Sequence, residues 1–290
     1  MKYYISLMIA LVAFCGLFNG SALAADKDTY WYWISSDNKY SKFYAPTEVQ
    51  IMQNVGGVPT QINAITKTTY DLAGAKETLT NYGIKNIKPE DLMYSIANVQ
   101  VVPQRRTLAY LDETFYNKQG QKIWSKKYQP LKPKEINSQE FDEDYYAYIL
   151  DTVFGAGEVV RRTAEDRWLV MWQEKTGNGQ AYAMADTTTM RLNGENIIYW
   201  EWQEFKDNQG NVQEIRFQKK AVNVPQGTEK IVRYLHWDSK GWQDYTDSET
   251  DGNYYAITPG SRSAKAQSVL KIYEGNHEAW VNRYSIENLD

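Results

Sequence analysis

The stretch Trp168-Leu169-Val170-Met171-Trp172-Gln173-Glu174-Lys175-Thr176-Gly177-Asn178-Gly179-Gln180-Ala181-Tyr182-Ala183 reads as a strand, a tight turn and a return strand. Tryptophan, valine and tyrosine favour pleated, half-buried surfaces, and a Gly-Asn-Gly turn between two such runs is a hairpin signal. The same order of landmarks appears earlier in the chain. Trp31-Tyr32-Trp33 is followed by a turn at Ser35-Ser36-Asp37-Asn38 and then by Phe43-Tyr44-Ala45.

Beyond these hairpins the two halves stay in step. A β-like stretch of equal length follows in each, Ile62 to Tyr70 and Ile197 to Phe205, and each half then carries Val-Pro-Gln, at 102–104 and 224–226. Each continues into a strand ending at an aromatic and a turn closing on glycine, Tyr116 to Gly120 and Trp237 to Gly241, with Trp124 and Trp242 beyond. Agreement of order and spacing together points to two copies of one plan.

Helical signals close both halves. Asn137 with Glu140 three residues on reads as a capping box, and Phe141, Tyr145, Tyr148, Ile149 and Thr152 recur at helical spacing before Gly155. Ser261 reads as the cap of a second helix with Ala266, Val269, Leu270 and Tyr273 on one face. Only the first half has an insertion, at about 71–97. There Asp71 caps a helix carrying Leu72, Ala75, Leu79 and Tyr82, Gly83 stops it, and a short helix starts at Pro89-Glu90-Asp91. The expected fold class is α+β: two tandem, related, mostly antiparallel β-sheet domains, residues 25–156 and 157–290, each packed by a C-terminal helix.

Residues 1–24 read as a secretory signal peptide. Lys2 gives a positive start, Ile5 to Phe18 is an apolar run too short to span a bilayer, and Ala22-Leu23-Ala24 is a small-x-small site with cleavage before Ala25. The expected compartment is therefore the periplasm or the exterior, including the cell surface. The expected mature chain lacks Cys15, the one cysteine, and has no transmembrane segment.

Hydrophobic residues at 42% and charged residues at 23% exclude wholesale disorder, and a formal net charge of -4 argues against nucleic acid as a partner. Ten Trp and 23 Tyr make the chain rich in aromatics, which supply burial where disulfides do not, or serve as platforms for sugars and protein partners. Charge is unevenly placed. Eight Lys/Arg lie between Pro103 and Lys134, and nine Asp/Glu between Glu135 and Asp166. Lys122, Trp124, Lys126 and Lys127 are the candidate binding residues, able to meet an anionic glycan or surface; the other reading is edge-strand lysines that discourage sheet aggregation.

The landmarks Trp33 to Val49, Leu108 to Trp124, Trp168 to Met190 and Val232 to Trp242 resemble the surface-adhesin protein E family of bacterial secreted proteins. The resemblance implies an extracytoplasmic antiparallel-sheet domain used in surface contact or adhesion. It carries no catalytic residue and no specific ligand, and the cysteines of many members are absent from the mature chain.

Catalytic parts are hard to assemble. The two histidines, His236 in a strand and His277 in a polar connection, stand apart, and neither a Gly-x-Ser-x-Gly elbow nor a glycine-rich phosphate loop is present. Glu201 and Glu204 flank Trp202, but residues three apart on a strand point to opposite faces, so the pair is expected on the solvent side rather than in a glycosidase site. Asp247 to Asn253 is the best metal candidate, an acidic loop with Gly252, though it lacks the glutamate an EF-hand needs at Thr258 and reads better as an exposed turn. No catalytic residue, metal or cofactor is assigned. The expected function is non-catalytic binding or surface interaction with an extracellular protein or glycan. The alternatives are a carbohydrate-binding or carbohydrate-active protein using the tryptophan-rich sheet faces, and a purely structural envelope protein.

Overall fold

A computed structural model describes residues 29–285 apart from Asn178. The expected cleavage residues Ala22, Ala24 and Ala25 lie outside the described residues. Alternation of apolar and polar side chains, broken by Asx and glycine turns, produces two antiparallel sheets.

The first sheet contains β1 (Tyr32–Ser36), β2 (Tyr40–Tyr44), β4 (Val58–Tyr70), β5 (Tyr94–Val102), β6 (Thr107–Tyr116) and β7 (Lys122–Lys127), hydrogen-bonded in that order. The second contains β9 (Trp168–Thr176), β10 (Gly179–Asn193), β11 (Asn196–Asp207), β12 (Val212–Asn223), β13 (Thr228–Asp238) and β14 (Gly241–Asp244), again in sequence order. Short additional strands follow a common pattern. β8 (Lys134–Glu135) pairs with the start of β6, and β15 (Tyr255–Ala256) pairs with the start of β13. The first sheet alone has β3 (Gln50–Val55), a hairpin partner of β4.

The hairpin that opens the second sheet runs in register to Thr176↔Gly179. Gly179 has φ +149°, and a Cβ there would lie 1.9 Å from the Lys206 carbonyl oxygen, so only glycine fits this approach to β11. In the first sheet Asp37 closes the equivalent turn, its Oδ1 accepting from the Lys39 and Tyr40 amides at 2.7 and 2.8 Å.

Helices cover parts of each sheet. α1 (Leu72–Asn81) lies in the insertion, with the Asp71 carboxylate accepting from the Gly74 amide at 2.7 Å as expected for a cap. Its Ala75 and Leu79 form a small core with Leu92 and Phe115, whereas Leu72 points to solvent. The insertion is shorter than expected, because β5 already begins at Tyr94. α2 (Glu143–Phe154) starts later than the Asn137 reading implies. Asn137 instead folds a local turn, accepting from the Gln139 amide at 2.9 Å, and the helix begins after Asp142. Gly155, at φ +61°, ends it. α3 (Glu158–Thr163) leads into the second sheet; α4 (Thr246–Glu249), α5 (Arg262–Asn276) and α6 (Glu278–Val281) follow it. Ser261 caps α5, its hydroxyl accepting from the Ala264 amide at 3.2 Å.

One core cluster joins Tyr145, Tyr146, Ile149 and Leu150 to Ile62, Val99, Val101 and Leu108. A second joins Ala266, Leu270 and Tyr273 to Ala181, Ala183, Ala185, Tyr199 and Val222. Trp31 to Ser285 belong to one compact unit that includes both sheets.

A candidate anion-binding cleft between the sheets

The Val-Pro-Gln turns sit at equivalent places, between the fourth and fifth strands of each meander, but they end differently. Gly227 holds the left-handed position before β13 at φ +64°, whereas Arg106 holds it before β6 at φ +51°. A left-handed arginine is strained, and here its side chain is buried in an ion network. Arg106 Nε donates to the Ile136 carbonyl at 2.8 Å, Nη1 to Glu158 at 3.3 Å and Nη2 to Thr188 Oγ1 at 3.3 Å. Glu158, also buried, accepts from Arg283 Nε at 2.8 Å and from the Tyr284 hydroxyl at 3.1 Å. Burial pushes the Glu158 carboxyl up, but Arg283 and Arg106 more than offset this and hold it below the ordinary glutamate range.

A bulge in the second sheet supplies the other side of this network. Between the pairs Asp186↔Trp200 and Arg191↔Ile198, residues 187–190 loop out of β10. Three consecutive threonines stabilise the bulge: Thr188 Oγ1 donates to Asp186 Oδ1 at 2.6 Å, Thr189 Oγ1 donates to the Asp186 carbonyl at 2.8 Å, and Thr187 Oγ1 donates to the Arg167 carbonyl at 2.8 Å. The freed Thr188 and Met190 carbonyls accept from Arg283 at 2.6 and 2.8 Å, and Arg191, the next residue, lines the cleft described below.

In front of this network lies a cleft of about 1190 Å³ between the β3–β4 hairpin, the Val102 to Thr107 turn, the β10–β11 turn and the residues after α6. Among the described residues it is lined by Arg105, Arg191, Lys219 and Arg283 and by one carboxylate, Glu135; Arg283 is already paired with Glu158. Lys219 Nζ lies 2.8 Å from Glu135 Oε1, and Arg191 Nη2 3.6 Å from the same oxygen. Burial pushes the Lys219 ammonium and the Arg191 guanidinium below their ordinary values, and Glu135 counteracts this only in part. Positive charge is thus in excess at the cleft floor, an arrangement suited to an anion.

The candidate lysines fall elsewhere. β7 is the last strand of its sheet, where Trp124 packs on Phe115 at a centroid distance of 4.5 Å and Lys126 Nζ stands 4.8 Å over the Tyr128 ring. Lys126 and Lys127 pair opposite Glu113 and Asp112 on the two sides of the strand, and Lys122 opposes Tyr116 beyond a bulge. Alternation therefore divides Lys122, Trp124, Lys126 and Lys127 between faces instead of gathering them.

Glu201 and Glu204 do point to opposite faces, but the solvent-side expectation for both is corrected. Glu201 is fully buried beside Lys220, 2.9 Å away, and Gln203, 2.6 Å away. Glu204 accepts from Trp202 Nε1 at 3.2 Å and pairs with Lys206 at 2.8 Å. His236 lies in β13 with Nδ1 3.3 Å from the Tyr234 hydroxyl, and His277 stacks on Tyr273 at 4.1 Å. In the acidic loop Asp247 and Glu249 lie on α4, and Asp251 accepts from the Asn253 amide at 2.9 Å. Among the described residues no three acidic, histidine or cysteine side chains converge on one point.

Sequence reasoning missed the cleft. The one local signal was the replacement of Gly227 by Arg105-Arg106 after the repeated Val-Pro-Gln. Compared with known protein-family models and with curated protein sequences, the chain matches none.

Proposed function

We propose that this is a secreted or periplasmic, non-catalytic binding protein, acting in surface interaction with an extracellular partner that presents anionic groups to the inter-sheet cleft. The observation that carries the reading is the excess of Arg105, Arg191 and Lys219 over the one carboxylate Glu135 among the described residues of a cleft of about 1190 Å³, with Arg283 paired to Glu158 behind it. A glycosidase site of the usual kind needs a second converging carboxylate, whereas a binding site needs only complementary charge and shape. The resemblance to surface adhesins points the same way. A tandem origin for the sheets is supported by their identical strand order, by β8 and β15 each pairing with the start of the fifth strand of its meander, and by the helices α2 and α5 that follow and contribute to the two cores.

Interferometry of residues 25–290 on dextran sulfate and plain dextran, at low and physiological salt, tests the proposal. Salt-sensitive binding to dextran sulfate alone is expected, weakened about tenfold by Arg105→Glu and unchanged by Lys126→Glu/Lys127→Glu. Loss through the paired lysine variant instead would move the site to β7.

A second reading, carbohydrate binding on an aromatic sheet face, is favoured by one observation. Lys67 Nζ stands 4.7 Å from the Tyr94 ring centroid and 5.4 Å from that of Trp31, with Phe43 at 6.0 Å, and Trp33, 56% exposed, pairs with Phe43. Binding to neutral glycans that Trp33→Ala abolishes is the outcome that reading requires.

A further inference from the structure

We infer that the partner enters the cleft as an extended acidic peptide segment that adds a strand to β3, an inference that rests on the cleft being the binding site. The open strand edge is the first observation. Among the described residues β4 is the one strand paired with β3, and no backbone hydrogen bond reaches residues 50–55 from any other segment. All six residues are exposed, and Gln53 and Val55 also line the cleft. A row of unpaired backbone N–H and C=O groups therefore borders the cleft that holds Arg105, Arg191 and Lys219.

Edge protection is the second observation. Sheets guard open edges with lysine, proline or bulges, and β7 takes the first course with Lys122, Lys126 and Lys127. The sequence of β3, Gln50-Ile51-Met52-Gln53-Asn54-Val55, has neither charge nor proline, and it exposes Ile51, Met52 and Val55. Its register against β4 shifts after Ile51 and again after Gln53. Such shifts twist the edge, which disfavours flat pairing with another folded sheet but leaves short runs that a flexible segment can follow.

The two observations together select the occupant. Strand addition draws its affinity from main-chain hydrogen bonds, which a peptide supplies at ladder spacing and neither a sugar chain nor a phosphate does. The excess of Arg105, Arg191 and Lys219 over Glu135 favours carboxylates along that peptide. A second copy fits less well. Its β3 brings no carboxylate, and two-fold pairing would gather the like-charged clefts of both copies at one interface.

The test is calorimetric titration of residues 25–290 with a heptapeptide of alternating glutamate and valine. Its controls are the glutamine-for-glutamate version and the two versions N-methylated on alternate amides. The parent is expected to bind about tenfold more tightly than the glutamine version and than one of the two methylated versions, and Arg105→Glu to weaken it about tenfold. Hydrogen exchange supplies the position: amides of residues 50–55 that face away from β4 should exchange freely and become protected when the parent peptide is added. Protection before any peptide is present, including protection that accompanies a concentration-dependent dimer in sedimentation, means that the edge is already covered and overturns the inference. Equal binding of the parent and both methylated versions, weakened by Arg105→Glu, overturns strand pairing and retains the cleft. Equal binding of the glutamine version overturns the acidic character. If the peptide fails to bind, the inference falls, and dextran sulfate binding that Arg105→Glu weakens shows whether the cleft reading survives it.

Discussion

Arg106 occupies a backbone conformation that costs a non-glycine residue about 1–2 kcal/mol, at a turn where the second half of the chain uses Gly227. The strain is retained because the guanidinium serves three partners, Ile136, Glu158 and Thr188, and lies 4.8 Å from the centroid of the Tyr146 ring. Removing one member of a buried ion pair costs about 3–5 kcal/mol, since the other charge stays behind. Arg106→Met is accordingly expected to lower the urea unfolding free energy by about that amount. The added substitution Glu158→Gln should deepen the loss and not relieve it, because Glu158 still compensates the buried Arg283 at 2.8 Å; a double-mutant cycle in urea measures the coupling.

The bulge of residues 187–190 is the element on which the cleft depends. It immediately precedes the cleft-lining Arg191 and presents two carbonyls to Arg283, and Thr189 Oγ1 also accepts from the Trp200 amide at 2.9 Å. Thr189→Val leaves that buried amide without a partner and should cost about 1–3 kcal/mol. Hydrogen exchange at the Trp200 amide is expected to accelerate, and binding of dextran sulfate to weaken, if the bulge sets the position of Arg191. Elements of this kind explain the limits of the sequence reading. Hairpins such as Trp168 to Ala183 were legible because alternation and turn residues are local. The Asp71 and Ser261 caps were legible for the same reason. Asn137 misled because an Asx turn and a helix cap share one residue type, and only the chain beyond, at Asp142, decides between them. The Asp-Thr-Thr-Thr run was visible but carries no sign of the carbonyls it would release.

Across the whole molecule the buried ion network sets the response to acid. Burial raises the Glu143 carboxyl above its ordinary value, although Arg167 and Arg106 oppose this, so its ionisation at neutral pH costs stability that returns as pH falls through the raised value. Glu158 and Asp144 behave oppositely. Burial raises both, but Arg283 and Arg106 hold Glu158 low, and Lys42 and Arg162 hold Asp144 low; the stability they contribute is present above the unfolded-state pKa and is lost as pH falls through the depressed folded values. Unfolding free energy is expected to rise slightly on mild acidification and then fall below the ordinary carboxylate range. Glu143→Gln should flatten the rise and Glu158→Gln the fall, both read from urea midpoints against pH. The cleft was illegible at this scale for a simple reason: Arg105, Glu135, Arg191, Lys219 and Arg283 come from five separate segments, and no spacing within the sequence relates them.

The bond from Arg283 to Glu158 spans 125 residues, whereas each meander is built from consecutive hairpins. Local pairings close early and distant ones late, so both sheets can form while the buried glutamate still waits for its second arginine. During vectorial emergence, from a ribosome or through a translocation channel, the central ion network stays incomplete until Arg283 has come through. The bonds of Arg167 to Glu143 and of Lys219 to Glu135 can already join the halves by then, so what waits for Arg283 is the completion of the network and of the cleft wall that it supplies.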